Sequence, residues 1–509
     1  MARFIVSLLN TVLVLSLLVA GCATPTPRVI EKVITQVVKE TVVAVGTPQV
    51  VEKVIAMPTP TLTPVSEISK PPIIVLPGIL GSELFDRCPG KEDQKIWPVP
   101  QNLYSETVDK HLDPLELDRY GKPVDQKCKI LVGDLVWSID PNKIDPEGLD
   151  VILKGLKSFL GFISFELVSS DLDIMDFYGG LRDHLEEDLG YVKNKDVFYF
   201  PYDWRKSITE TAELLTKKIN RICEETSQEQ VIIIAHSMGG LVARYAIVSN
   251  RNNVSAKVAK LITLGTPHIG AVEAYLTINP PKSYPGTVEH LNPGKGAELA
   301  ANWPGIYQML PNPQYFHRNY VCTADEMIAM RTIFHDGWIH ADDPKRVLLY
   351  DEDPTKMFHL IYKDNEHSRL PNSELVDQAV EFWQQIQAWD QLGSVPENVK
   401  VYLIASMGLY TEGMIYLGES EKEGRVERFD DVWYTNGDET VFVESQVGLA
   451  DTRNVTKYYL KEVVHSKMPG DRKVHILLDC ILADQKLDPN WDWVKTERTQ
   501  NDEWRPCRP

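Results

Sequence analysis

The stretch that most constrains this chain is Val231-Ile232-Ile233-Ile234-Ala235, followed by His236-Ser237-Met238-Gly239-Gly240 and a helical run from Leu241 to Val248. A short unbroken apolar run is how a strand buried on both faces reads. Where such a strand turns directly into a helix, the backbone bends so sharply that the residues two places either side of the turn must be small. Ala235 and Gly239 meet that need. Ser237 then stands on the turn at a helix N-terminus, where the peptide dipoles favour developing negative charge, and it is the candidate nucleophile. The plainer alternative is a serine in an ordinary turn, which leaves the matching flanks unexplained. His236 is expected to pack away from the site, because neighbours on so sharp a bend point apart.

Similar apolar runs occur at Pro72-Ile73-Ile74-Val75-Leu76-Pro77-Gly78 and at Lys260-Leu261-Ile262-Thr263-Leu264-Gly265. Val399 to Ala405 reads as another strand, leading into a Gly-rich loop, and Arg425 to Tyr434 as one more. Helical patterns fall between the first strands, and that alternation predicts an α/β fold with a mainly parallel sheet and helices on both faces. The clearest helix starts at Ser207, with Glu210 placed to complete a capping box and Ile208, Leu215, Ile219 and Ile222 along one face.

A serine needs a base, and the base needs an acid to orient it; on this kind of sheet they follow in the order serine, acid, histidine. Asn436-Gly437-Asp438-Glu439-Thr440-Val441 places a carboxylate in a tight turn, and His465 follows the strand-like Tyr458 to Val464. Asp438 would fix the imidazole tautomer and His465 would take the serine proton, with His475 as the alternative base. The tetrahedral intermediate also needs backbone N–H donors, worth roughly 3 kcal/mol each. Met238, next after the nucleophile, supplies one; Ile79, in the glycine-bearing loop Gly78-Ile79-Leu80-Gly81, supplies the other.

The N-terminus reads as an export signal over residues 1–21: Arg3 is followed by a largely apolar stretch and by Val19-Ala20-Gly21-Cys22. That ending resembles a bacterial lipobox, which implies acylation of Cys22 and an extracytoplasmic protein held to the cell membrane, or one simply secreted. Residues 22–70 are rich in Thr, Pro and Val and are expected to be a tether, although the near-repeat of Val29 to Ile34 at Val50 to Ile55 also suits transient strands or a weak oligomerising helix. No later apolar stretch approaches the ~20 residues a spanning helix needs. A net charge of −19 argues against a nucleic-acid partner, since phosphate binding needs a dense basic face. The other cysteines, Cys88, Cys128, Cys223, Cys322, Cys480 and Cys507, allow many pairings. They form no CxxC or Cys/His cluster, so neither a metal nor a cofactor is expected.

Taken together, these segments resemble the lecithin:cholesterol acyltransferase and lysosomal phospholipase A2 family of α/β-hydrolase fold. The likeness runs in islands from about Pro72 to His475. Val75-Leu76-Pro77-Gly78-Ile79-Leu80-Gly81-Ser82 is similar to the family's oxyanion loop, Pro201-Tyr202-Asp203-Trp204-Arg205 to its distinctive pentapeptide, and Ala235 to Gly240 to its elbow. Leu264 to Gly270, Pro304 to Pro311 and Gly437-Asp438-Glu439-Thr440-Val441 resemble further family segments. The resemblance implies Asp438 as the acid and favours His465, with His475 still open, and it gives Asp203, Trp204 and Arg205 a supporting role beside the elbow. It also implies a catalytic domain over 71–490 with two insertions and a tail over 491–509. One insertion, 88–173, would be a membrane-binding subdomain with a Cys88–Cys128 disulfide and an apolar segment, Phe159 to Phe165. The other, 271–396, would form a cap or lid. The implied activity is attack on a lipid ester through an acyl-serine, with water as the default acceptor and a sterol or other alcohol as the rival. A carboxylesterase on soluble esters and a non-catalytic anchored lipoprotein are the remaining alternatives.

Overall fold

The computed structural model describes residues 37–42, 49–54, 70–99, 108–139, 175–279, 294–312, 354–359, 362–363, 370–386, 393–422, 425–488 and 491–497. Residues 1–21, Cys22, the Phe159 to Phe165 segment, Cys322 and Cys507 lie outside them. The chain divides into two compact units, residues 1–70 with 479–488, and residues 71–478 with 489–509.

In the first unit, Val37–Val42 and Gln49–Val54 pair antiparallel, with Val37 opposite Val54 and Val42 opposite Gln49. The expected tether therefore contains a regular ribbon. Its β-branched valines and Thr41 favour extended, paired backbone over a featureless spacer.

The second unit is built on a seven-stranded sheet. Its strands are β1 (Ile73–Leu76), β2 (Val197–Tyr199), β3 (Val231–His236), β4 (Val258–Leu264), β5 (Lys400–Met407), β6 (Val455–Lys461) and β7 (Val494–Lys495), in the spatial order β7-β6-β5-β4-β3-β1-β2. All neighbours are parallel except β6 and β7. Every residue of β1 and β3 is buried, as expected of strands covered on both faces. Val494–Lys495 thus turns part of the expected tail into an edge strand. The register places Ala235 beside Leu76 on one side and Thr263 on the other, so the C-terminal ends of the three central strands meet at Ser237.

The helix Ile208–Thr226 covers one face with its buried stripe of Ile208, Ala212, Leu215, Ile219 and Ile222. Its cap differs in part from the expected capping box. Ser207 Oγ accepts from Thr209 N–H at 3.2 Å, and Gln308 Oε1 accepts from Ile208 N–H at 2.6 Å. Glu210 instead faces Lys122 at 3.8 Å.

Three antiparallel strands, Gln94–Trp97, Ser82–Arg87 and Lys129–Leu135, form a small sheet directly after the β1 loop. Cys88 and Cys128 follow and precede the paired residues Arg87 and Lys129, and they are joined by a disulfide. After β5 the chain enters not a loop but a long ribbon, Leu409–Lys422 paired with Arg425–Gly437, which delivers the chain to Asp438. Among the described residues, no helix is long and apolar enough to cross a membrane.

Candidate active site

Ser237 sits between β3 and the helix Met238–Ser249 with φ 53° and ψ −126°, a backbone state that L-residues rarely adopt. The surrounding bonds hold it there. Ser237 N–H donates to Leu264 O at 2.9 Å, and Ser237 O accepts from Gly240 N–H at 2.9 Å and from Thr266 Oγ1–H at 3.0 Å. Small residues are needed for contact reasons: a Cβ at Gly239 would run into Pro77 O, and one at Gly240 into Thr266 Oγ1. Gly78 packs so close that its Cβ would lie 2.8 Å from Ser237 Cβ.

His465 opens a short 3₁₀ turn, His465–Gly470, just after β6. Its Nε2 lies 3.0 Å from Ser237 Oγ, and its Nδ1 lies 2.7 Å from Asp438 Oδ2. Asp438 is fully buried, and its second oxygen accepts from Thr440 N–H at 3.1 Å and Val441 N–H at 2.6 Å. With Nδ1–H donated to the carboxylate, Nε2 is left to accept the serine proton. The turn that carries Asp438 is pinned by Thr411, whose Oγ1 accepts from Glu439 N–H at 2.9 Å. His475 is elsewhere: its Nε2–H bonds Pro469 O at 2.8 Å, and its ring stacks on His184 with centroids 4.3 Å apart.

The loop after β1 turns at Leu80, which takes φ 61°. Gly78 and Gly81 stay out of that region, and their role is space: a Cβ at Gly81 would lie 2.6 Å from Pro77 Cβ. The amides of Ile79 and Met238 meet no protein acceptor among the described residues, which leaves both N–H groups available to a ligand oxygen. The pentapeptide braces this loop rather than the elbow. Tyr202 Oη–H donates to Pro77 O at 2.8 Å, Trp204 Nε1–H to Ser82 O at 3.1 Å, and Trp97, edge-on to Trp204, donates to Leu80 O at 2.7 Å. Asp203 and the buried Arg205 pair at 2.7 Å, and Arg205 O accepts from Gly305 N–H at 3.3 Å.

A cavity opens over Ser237 and His465, lined mainly by apolar groups that include Phe177, Ala274, Trp303, Ile306 and Met309, with Ile79 and Leu80 at the loop side. Trp303, Ile306 and Met309 come from the segment 303–312, which is stitched to the strand-end loop after β4 by Ala271 N–H to Met309 O at 2.9 Å and Asn312 N–H to Ile269 O at 3.0 Å. Among the described residues, Asp86, Cys88 and Cys128 are the one group of metal-ligand type close together, and the sulfurs there are joined to each other.

His236 does not pack away from the site. Its ring lies 4.8 Å from that of His465 and lines the same cavity, bonded to Tyr178 Oη at 2.8 Å. Burial, reinforced by the positive charge His465 can acquire, pushes its imidazole well below the ordinary range, so it stays neutral. Sequence reading missed Tyr178, Gly265, Thr266 and Thr411. Gly265 and Thr266 lie within the segment Leu264 to Gly270, whereas nothing local marks Tyr178, whose partner Gly78 is 100 positions away.

A buried strand-turn-helix serine facing a histidine and carboxylate, on a mainly parallel sheet, defines an enzyme of the serine-hydrolase type with the α/β-hydrolase fold. The chain belongs to the lecithin:cholesterol acyltransferase family, whose model matches residues 120–476. The lysosomal phospholipase A and acyltransferase of Canis lupus familiaris is 24% identical over 309 residues, covering 58% of this chain and 72% of the dog protein. Phosphatidylcholine-sterol acyltransferase of Gallus gallus is 24% identical over 318 residues, covering 57% of this chain and 71% of the chicken protein. Among solved structures, the Tle4-Tli4 complex overlaps 82% of this chain and 98% of its own at 15% identity with a TM-score of 0.43, too loose a likeness to carry an argument.

Proposed function

We propose that this protein cleaves lipid esters and transfers their acyl group through an acyl-Ser237 intermediate. Ser237 Oγ attacks the ester carbonyl carbon while its proton passes to His465 Nε2, 3.0 Å away. Asp438 keeps the Nδ1 proton in place and stabilises the imidazolium that forms. The carbonyl oxygen becomes an oxyanion and takes the Ile79 and Met238 N–H groups. Collapse breaks the ester bond, and His465 returns its proton to the leaving alcohol oxygen. A second alcohol or water then attacks the acyl-serine, with His465 again as base, to release a new ester or a fatty acid.

The observation that carries this reading is the buried Ser237–His465–Asp438 series opening into a mainly apolar cavity. Family membership and the phospholipase and acyltransferase relatives support a lipid substrate over a soluble ester. Water is the default acceptor. A fluorophosphonate probe should label the protein and fail to label Ser237→Ala; equal labelling of the two would remove Ser237 as nucleophile. Product analysis on phospholipid vesicles, with and without an added long-chain alcohol, separates hydrolysis from transfer, and turnover of short soluble esters alone would favour a carboxylesterase. Acylation of Cys22 would hold the enzyme at a membrane outside the cytoplasm, which the lipobox-like Val19-Ala20-Gly21-Cys22 supports. Cys22→Ser should move the protein from the membrane to the soluble fraction.

A further inference from the structure

Three hydrogen bonds run in series behind the Ser237 turn. Gly78 N–H donates to the Tyr178 hydroxyl oxygen at 2.7 Å, Tyr178 Oη lies 2.8 Å from His236 Nδ1, and His236 Nε2 lies 3.0 Å from the backbone carbonyl oxygen of His465. A carbonyl has no proton to give, so His236 carries its proton on Nε2 and its bare Nδ1 accepts from the Tyr178 hydroxyl. One neutral tautomer satisfies every atom of the series, and both side chains are buried, at 3% exposure for Tyr178 and 7% for His236.

Each end of the series touches the machinery proposed above. Gly78 immediately precedes Ile79, whose amide is an oxyanion donor, and the carbonyl at the other end belongs to the base itself. The loop also presses on the series: a Cβ at Gly78 would lie 3.3 Å from His236 Nδ1. We propose that Tyr178 and His236 are positioning residues that hold the oxyanion loop and the His465 loop in register with each other. This rests on the Ser237–His465–Asp438 reading. The requirement is geometric, because the Ile79 donor and the base come from loops after β1 and β6, which are not neighbours in the sheet. Misplacement of a reacting group by about 1 Å costs on the order of 100-fold in rate. A neutral His236 adds a second advantage, since it does not oppose the imidazolium that forms on His465.

The test is steady-state kinetics on a soluble p-nitrophenyl ester with the full chain and with Tyr178→Phe, His236→Gln and His236→Phe. Tyr178→Phe should lower kcat roughly 10- to 100-fold with KM little changed, as expected for a misplaced group rather than a lost binding contact. His236→Gln offers one donor and one acceptor and should restore most of the kcat that His236→Phe loses. Wild-type kcat in Tyr178→Phe would overturn the proposal, and so would equal losses in the Gln and Phe variants. The two positions give independent readings if one variant does not fold. Ser237→Ala is run in parallel: absence of Ser237-dependent turnover in the native enzyme would sink the triad reading itself, whereas native turnover with an unaffected Tyr178→Phe removes only this inference.

Discussion

His465 is tied to Asp438 twice, by its backbone N–H to Asp438 O at 2.8 Å and by its ring Nδ1–H to Asp438 Oδ2 at 2.7 Å. The carboxylate is oriented in turn, because Oδ1 already accepts from the amides of Thr440 and Val441. In Asp438→Asn those two amides would keep the remaining oxygen at the Oδ1 position and turn the NH₂ group toward His465. The imidazole proton would then move to Nε2, where it blocks acceptance of the serine proton. The expected loss in kcat is about 10⁴-fold. Thermal melts alongside the kinetics check that the fold survives; a loss below about tenfold would mean that Asp438 does not set the tautomer.

Gly265 leaves the space in which that pair meets. It takes φ 59°, and a Cβ there would lie 2.9 Å from His465 Nδ1 and 3.0 Å from Asp438 Oδ2. Gly265→Ala therefore combines backbone strain of about 1–2 kcal/mol with a push on the catalytic histidine. Gly90 is the control, since it takes φ 77° and its Cβ would meet nothing within 4 Å. Both variants should lose stability by denaturant titration, Gly265→Ala at least as much as Gly90→Ala, but only Gly265→Ala should lose kcat, on the order of 100-fold. Equal kinetics in the two would show that the pair tolerates displacement.

Legibility in the sequence followed how local each signal was. The central strands were readable because burial on both faces leaves unbroken apolar runs, and Ser237 because strand, bend and helix adjoin in the chain. The ribbon Leu409–Lys422 was not, since only pairing with Arg425–Gly437 makes it a strand. His465 and His475 could not be separated by order, because the 3₁₀ turn that ends at Gly470 carries one into the cavity and the other toward His184. His236 was misplaced by a sound local rule: neighbours on the bend do diverge, but the chain closes around both sides of it. Tyr178 gives no signal at all, because its partners Gly78 and His236 are brought to it only by the folded sheet.

Buried histidines make stability depend on pH in a stated direction. Burial holds His236 and His268 well below the ordinary imidazole range; beyond burial, the charge of His465 opposes protonation of His236, and the charges of Arg244 and Lys457 oppose that of His268. Tyr178 is the other titratable group facing His236. In the unfolded chain both imidazoles titrate near about 6.5, so around and below that pH the unfolded state binds more protons than the folded one. Stability from this source is complete above the unfolded value and is lost as pH falls toward the folded values. Each histidine contributes a slope of up to about 1.4 kcal/mol per pH unit in that window. Urea titrations between about pH 7.5 and about pH 5.5 should show the loss, and His268→Gln, whose side chain does not line the Ser237 cavity, should flatten it in part, with His236 and the buried His111, also held down by burial, carrying the rest. His268 lies against the guanidinium of Arg244, which donates to its carbonyl at 3.0 Å, so protonation would set two buried cations together. An unchanged slope in His268→Gln would mean that His268 titrates alike in both states and that its burial relaxes before unfolding.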